Sequence, residues 1–264
     1  MMAQKGFLYE ENVAKALMKK NWVRRDYKPA GASSDRPDLD IFINGKDHGC
    51  ELKKNLASAG SLVIQHLGGK KYVFGETDGK EEKEFLKKIG EKSGVLKQIS
   101  SRWRVEPFIQ MERDEKWIAR VRQSGLSLRE RYKFDLNNCK DILFTLPSSA
   151  ISDYYNIKKT YYLNVGTHGF YLLGKDPADL NKYAKPKIPQ WKDMHTAILR
   201  VRIQSKGVTK AAALENSRGW PSPGPQGYQI TMEMQFKNVR TSPYNIGPVS
   251  GKSATIAESK IVLP

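Results

Sequence analysis

Pro37-Asp38-Leu39-Asp40-Ile41-Phe42-Ile43, then Asn44-Gly45, then Lys46-Asp47-His48-Gly49-Cys50-Glu51-Leu52-Lys53 is the stretch whose reading decides the fold. Leu39, Ile41 and Ile43 alternate with Asp38, Asp40 and Phe42, the period of a strand with one buried face. Asn-Gly tolerates positive φ at both centre positions of a tight turn, so Cys50 to Lys53 is expected to return as the second strand of a hairpin. Alternation puts Asp38 and Asp40 on one face of the first strand, and Glu51 and Lys53 on one face of the second. With the turn centred near Gly45 to Lys46, Glu51 comes opposite or nearly opposite Asp40, and Lys53 near Asp38.

Three carboxylates and one ammonium then converge. Mutual repulsion makes such a cluster costly unless a cation sits in it. Mg²⁺ is the natural occupant, with Mn²⁺ as a substitute, because it takes one or two carboxylates and keeps its other positions for water and a substrate phosphate. Lys53 can orient the attacking water or neutralise charge developing on the phosphate.

Upstream, Val13, Ala14, Leu17 and Met18 recur at helical spacing between Lys5 and Lys20, with Lys15, Lys19 and Lys20 on the other side. Glu10 lies three, four and seven positions before Val13, Ala14 and Leu17, so it points inward, where a carboxylate needs a partner. Glu11 falls off that stripe. Trp22-Val23 reads as a short strand, and Pro29 to Ser34 as a small-residue loop in which Ser33 and Ser34 either approach a phosphate or make a turn.

Taken together, Pro37-Asp38, the spacer and Glu51-Leu52-Lys53 resemble the PD-(D/E)XK nuclease superfamily. Lys5-Gly6, the helix glutamate Glu10, the Ser/Gly loop and the hairpin resemble its archaeal Holliday junction resolvase branch. The resemblance covers residues 5–55, about a fifth of the chain. It implies Asp38 and Glu51 as metal ligands, the carbonyl of Leu52 as a third, Lys53 as the catalytic lysine and Glu10 as a metal or water contact. Asp40 shares the face of Asp38 and can replace or assist it.

Further along, residues 80–102 carry a helical stripe (Phe85, Leu86, Ile89, Val95, Leu96, Ile99) broken at Ser93-Gly94, and a second helix is expected around Glu112 to Gln123. Gly60 to Phe74 is apolar but fits no single element. The C-terminal half is β-rich, with a hairpin from Thr160–Val165 and Gly169–Leu173 and longer strands at Ile198–Gln204 and Tyr228–Lys237. Three prolines between Pro221 and Pro225 exclude both ladder types there. The expected fold class is α/β: a restriction-endonuclease-like core, with a mixed central sheet flanked by helices, over residues 1–130, and a basic β-rich region for nucleic-acid binding over 131–264, either a second domain or an extension of the first.

The chain has 45 Lys and Arg against 28 Asp and Glu, a net charge of +17. The excess is spread evenly, with 29 basic against 21 acidic groups in residues 1–150 and 16 against 7 in residues 151–264. A basic protein that is 39% hydrophobic can bury a core, and its charge points to a polyanionic partner. Arg102-Trp103-Arg104 and Arg200-Val201-Arg202 are the candidate phosphate contacts, Arg200 and Arg202 because they share one strand face. DNA is the expected partner and RNA the alternative. Two-strand cutting favours a homodimer.

No apolar run approaches the roughly 20 residues of a membrane span, and the N-terminus has no apolar signal segment. Two cysteines and four scattered histidines give no zinc site. The reading is of a reduced, intracellular, Mg²⁺-dependent DNA endonuclease, site- or structure-specific. Its rivals are an RNA endonuclease of the same fold and a non-catalytic nucleic-acid-binding protein.

Overall fold

In the computed structural model of the chain, Asn44 and Gly45 take φ of 50° and 75°. Positive φ at both centre positions makes a two-residue turn whose twist matches the flanking strands. The hairpin therefore pairs Leu39 with Cys50, Asp40 with Gly49 and Ile43 with Lys46. The turn is centred one residue earlier than expected, because the positive φ falls on Asn44 rather than Lys46. The same register carried one residue further brings Glu51 level with Asp38, not with Asp40.

The structure describes residues 2–19, 21–27, 36–56, 58–110, 114–205 and 228–246, with the side chains of residues 2–7 and 205 excluded. The elements run α1 (Met2–Met18), β1 (Leu39–Ile43), β2 (Lys46–Lys53), β3 (Gly60–His66), β4 (Tyr72–Phe74), α2 (Glu81–Lys92), α3 (Val95–Arg102), α4 (Glu115–Ser124), α5 (Leu128–Asn138) and β5 (Ile142–Thr145). They continue with α6 (Ala150–Ile157), β6 (Thr160–Val165), β7 (Gly169–Leu172), β8 (Thr196–Ser205) and β9 (Tyr228–Lys237). Two sheets form, one ordered β1-β2-β6-β7 and the other β4-β3-β9-β8-β5. The α/β class, with a mixed sheet, flanking helices and an additional β-rich region, is as expected.

Internal contacts divide the chain into two interleaved units, one of residues 1–59, 145–197 and 235–264 and the other of residues 60–144 and 198–234. The hairpin near the N-terminus completes its sheet with a strand from far along the chain. In the first unit β2 pairs parallel with β6, setting Glu51 beside Leu163 and Lys53 beside Val165, and β6 pairs antiparallel with β7. Tyr9, Val13, Ala14 and Leu17 of α1 join Leu39, Ile41, Ile43, Cys50, Leu52, Tyr162 and Phe170 in one apolar core. Each fully buried aliphatic side chain there contributes roughly 1.5–3 kcal/mol. Trp22-Val23 is not a strand; the Trp22 carbonyl accepts a single hydrogen bond from Phe42 N–H at 2.6 Å.

In the second unit the unassigned run Gly60–Phe74 is a β-hairpin, turning at Gly68-Gly69 with φ of 98° and 60°. α2 and α3 are separated at Gly94, whose φ of 65° suits the expected break. Leu62, Ile64, Leu86, Val95, Ile99, Ile230 and Met232 are buried. The proline loop at 221–225 lies outside the described residues. Cys50 and Cys139 are buried free thiols. Among the described residues no helix is long and apolar enough to cross a membrane.

The hairpin leaves no room at Gly49. A methyl group there would come 2.6 Å from the Lys159 carbonyl oxygen and 3.0 Å from the Pro37 ring. Gly49→Ala is therefore expected to lower the unfolding free energy by about 1–3 kcal/mol. Urea denaturation measures it, and an unchanged midpoint contradicts this packing.

Candidate active site

Because Leu39, Ile41, Ile43, Cys50 and Leu52 face the α1 core, the side chains of Glu51 and Lys53 project to the other face of the sheet. There Lys53 Nζ lies 2.5 Å from Glu51 Oε1, and Lys158 Nζ lies 3.3 Å from Glu51 Oε2. The Glu51 side chain is 3% exposed, Lys158 8% and Lys53 20%. Asp38, level with Glu51, accepts the Leu52 N–H at its Oδ2 over 2.9 Å, and the Tyr27 hydroxyl donates to the Asp38 carbonyl. Glu10, half-buried on α1, is electrostatically coupled to Asp38, Lys53 and Glu51, whereas Glu11 is exposed.

Burial would raise the Glu51 carboxyl, but Lys53 and Lys158 outweigh it and hold the group below the ordinary glutamate value. Burial also pulls the Lys53 ammonium down, and Glu51 more than reverses this, holding it well above the usual lysine value. The other two acids behave oppositely. Burial and the neighbouring Glu51 push Asp38 up to about 6. Burial and the neighbouring Asp38 push Glu10 up to about 7.

With Glu10 and Asp38 raised, the native protein holds more protons than the unfolded chain from the ordinary carboxyl range up to about pH 7. Their contribution to stability is thus greatest at acid pH and falls as pH rises through that window. In buffer free of divalent cations, Asp38→Asn is expected to gain stability relative to wild type as the pH is raised from 5 to 8. Thermal melts across that range check this, and a difference independent of pH contradicts it.

The structure brings Glu10, Asp38, Glu51 and Lys53 together. Asp40 is elsewhere: its charged neighbours are Asp47, Arg36 and His48, and it sits opposite Gly49. The Leu52 side chain is buried in the α1 core while its N–H binds Asp38. Ser33 and Ser34 lie outside the described residues. Arg102 and Arg104 are exposed at the end of α3, but Trp103 between them is buried and donates to the Lys140 carbonyl, so it offers no stacking face. Arg200 and Arg202 do share one face of β8; their guanidinium groups are ion-paired with Asp141 and Glu233 at 2.5 and 3.0 Å.

Two residues of this site escaped the sequence reading. Lys158 follows α6 and is distant in sequence from the hairpin. Tyr155 is fully buried on α6, its hydroxyl has no hydrogen-bond partner among the described residues, and it is coupled to Lys53, Glu51 and Asp38. No local signal points to either, because their position depends on the parallel β2–β6 pairing. A raised carboxyl alone does not mark such a site. Burial pushes Asp135 up to about 6 as well, yet its oxygens accept the Phe108 and Ile109 N–H groups and the Tyr228 hydroxyl, a structural role within α5's unit.

No protein-family model matches the sequence, and no curated protein matches it. A comparison with solved structures finds HhaI endonuclease in complex with DNA, at 10% sequence identity and a TM-score of 0.40, covering 88% of this chain and 92% of that chain. A likeness at that score carries no argument for fold or function.

Whether these side chains suit a metal ion can be judged from the donors themselves. Among the described residues no three His, Cys, Asp or Glu side chains are arranged to hold a metal ion, and both Glu51 oxygens are held by lysines. The donor chemistry nevertheless fits Mg²⁺ or Mn²⁺. Burial and Asp38 disfavour the Glu10 anion, and burial and Glu51 disfavour the Asp38 anion, the condition a divalent cation relieves; the Tyr155 hydroxyl, coupled to Asp38, has no hydrogen-bond partner among the described residues.

Proposed function

We propose that the chain is a metal-dependent nuclease of the PD-(D/E)XK kind, hydrolysing phosphodiester bonds of DNA. The observation that carries this reading is the convergence of Glu10, Asp38, Glu51 and Lys53 from three elements onto one half-buried spot in a protein of net charge +17. A merely structural arrangement has little reason to gather three acids with two of them forced toward the neutral form.

In this reading Asp38 and Glu51 hold Mg²⁺, with Mn²⁺ as a substitute, and Glu10 holds a water on the α1 side. The metal, when bound, supplies a water of lowered pKa and neutralises charge on the phosphate. Lys53 keeps its proton because of Glu51, so its ammonium holds the attacking water and stabilises negative charge on the phosphate oxygens. Leu52 N–H fixes one Asp38 oxygen, which orients the other. The even basic surface draws the polyanion in, and cutting both strands of a duplex calls for two copies of the chain.

A second reading is favoured by one observation, the closure of both Glu51 oxygens by ammonium groups. That arrangement equally suits a nucleic-acid-binding protein in which the cluster is a buried ion-pair network. Incubating the full chain with duplex, single-stranded and branched DNA and with RNA, in Mg²⁺ or Mn²⁺, separates the readings. Metal-dependent cutting of DNA is expected. Cutting of RNA alone moves the substrate to RNA, and binding without cutting of any member supports the second reading.

A further inference from the structure

We propose that Lys158 makes the entry of the metal and of the phosphodiester depend on each other; the inference rests on the metal-dependent reading above. Lys158 belongs to none of the sequence features that point to the site. It comes from the end of α6, is almost fully buried, and takes the Glu51 oxygen that Lys53 leaves open, 3.3 Å from its Nζ. Its ammonium lies 5.9 Å from the centre of the Tyr155 ring.

The charges of the cluster explain the consequence. With the acids ionised, as binding a cation requires, Glu10, Asp38, Glu51, Lys53 and Lys158 carry one net negative charge. A divalent cation turns this into one net positive charge in a site with little water to screen it, which is unfavourable. One phosphodiester restores neutrality, and it also offers Lys158 an anionic partner when Glu51 turns to the metal. Without Lys158 the remaining four groups carry two negative charges, which a divalent cation matches alone. Lys158 therefore withholds the metal from the free protein and admits it with the nucleic acid. A metal that binds only with its substrate leaves the free enzyme unarmed.

The test is calorimetric titration of Mn²⁺ into the full chain, alone and with a short duplex carrying hydrolysis-resistant phosphorothioate linkages, with Mn²⁺ titrated into the duplex alone as the baseline. In wild type the duplex is expected to tighten Mn²⁺ binding by about 5–150-fold, the usual size of a coupling between two sites. Lys158→Gln is expected to bind Mn²⁺ more tightly without duplex and to lose most of that coupling. Lys158→Arg, which keeps the charge, is expected to retain it. Lys158→Met keeps the aliphatic stem and replaces Lys158→Gln where circular dichroism shows the latter unfolded. If Asp38→Ala removes Mn²⁺ binding but Lys158→Gln and Lys158→Met leave affinity and coupling unchanged, the proposal is overturned while the metal site stands. If Asp38→Ala binds Mn²⁺ as wild type does, the metal reading fails and this proposal with it.

Discussion

Replacing Lys53 by alanine is expected to slow Mg²⁺-dependent nicking of supercoiled plasmid by at least about 100-fold, the loss typical of one preorganised charge-stabilising donor. The expectation follows from the position of the ammonium rather than from the presence of a lysine. Lys53 Nζ is held 2.5 Å from Glu51 in a site where its own side chain is only 20% exposed. Its charge therefore acts through little water, where it is worth several times more than at the surface. Asp38→Ala is expected to lose as much, because it removes a proposed metal ligand and the acceptor of the Leu52 N–H together. Melting curves must show both variants folded. Wild-type nicking in both of them contradicts the assignment.

The second large effect is on stability. Glu51→Ala removes the one carboxylate shared by two ammonium groups and leaves Lys53 and Lys158 facing each other in a largely buried site. Breaking a buried ion pair by deleting one partner costs about 3–5 kcal/mol, mostly because the remaining charge is uncompensated. Urea denaturation of Glu51→Ala is expected to show a loss of that size. Adding Lys158→Met in the same chain is expected to recover part of it, since one of the stranded charges is gone. A loss in Glu51→Ala below about 1 kcal/mol, the range of exposed pairs, shows that the three groups do not form the closed network described.

The hairpin and its helix were legible because the information is local. Alternation from Leu39 to Ile43, the Asn44-Gly45 turn and the stripe on α1 each span fewer than a dozen residues, and Glu10, Asp38, Glu51 and Lys53 all follow from them. The register error, with Glu51 level with Asp38 rather than Asp40, arose from one choice about which two residues turn. α5 was missed although Ser127 and Glu130 form a capping box, a signal present in the sequence, because no clear apolar stripe follows it. α6 carries no such signal. It is short and buried nearly all round, with Ala150, Ile151, Ser152, Tyr154 and Tyr155 inside, so packing rather than pattern makes it helical.

Lys158 and Tyr155 were hidden for the same reason. Nothing in residues 145–165 states that β6 will lie parallel to β2, and only that pairing brings the end of α6 to Glu51. The arginines show the converse limit. Arg200 and Arg202 stand on one face of β8 as alternation requires, yet periodicity is silent on Asp141 and Glu233, which take their guanidinium groups.

In the proposed reading Asp38 and Glu51 hold a divalent cation, with Glu10 on a water beside it. A crystal of the full chain soaked in Mn²⁺ tests it most directly, through the anomalous signal of the metal. A peak is expected within about 2.3 Å of carboxylate oxygens of both Asp38 and Glu51, close to the distances of small divalent cations, with Glu51 released from at least one of its two lysines. A Mn²⁺ peak only elsewhere on the chain, with Glu51 still held by Lys53 and Lys158, contradicts it.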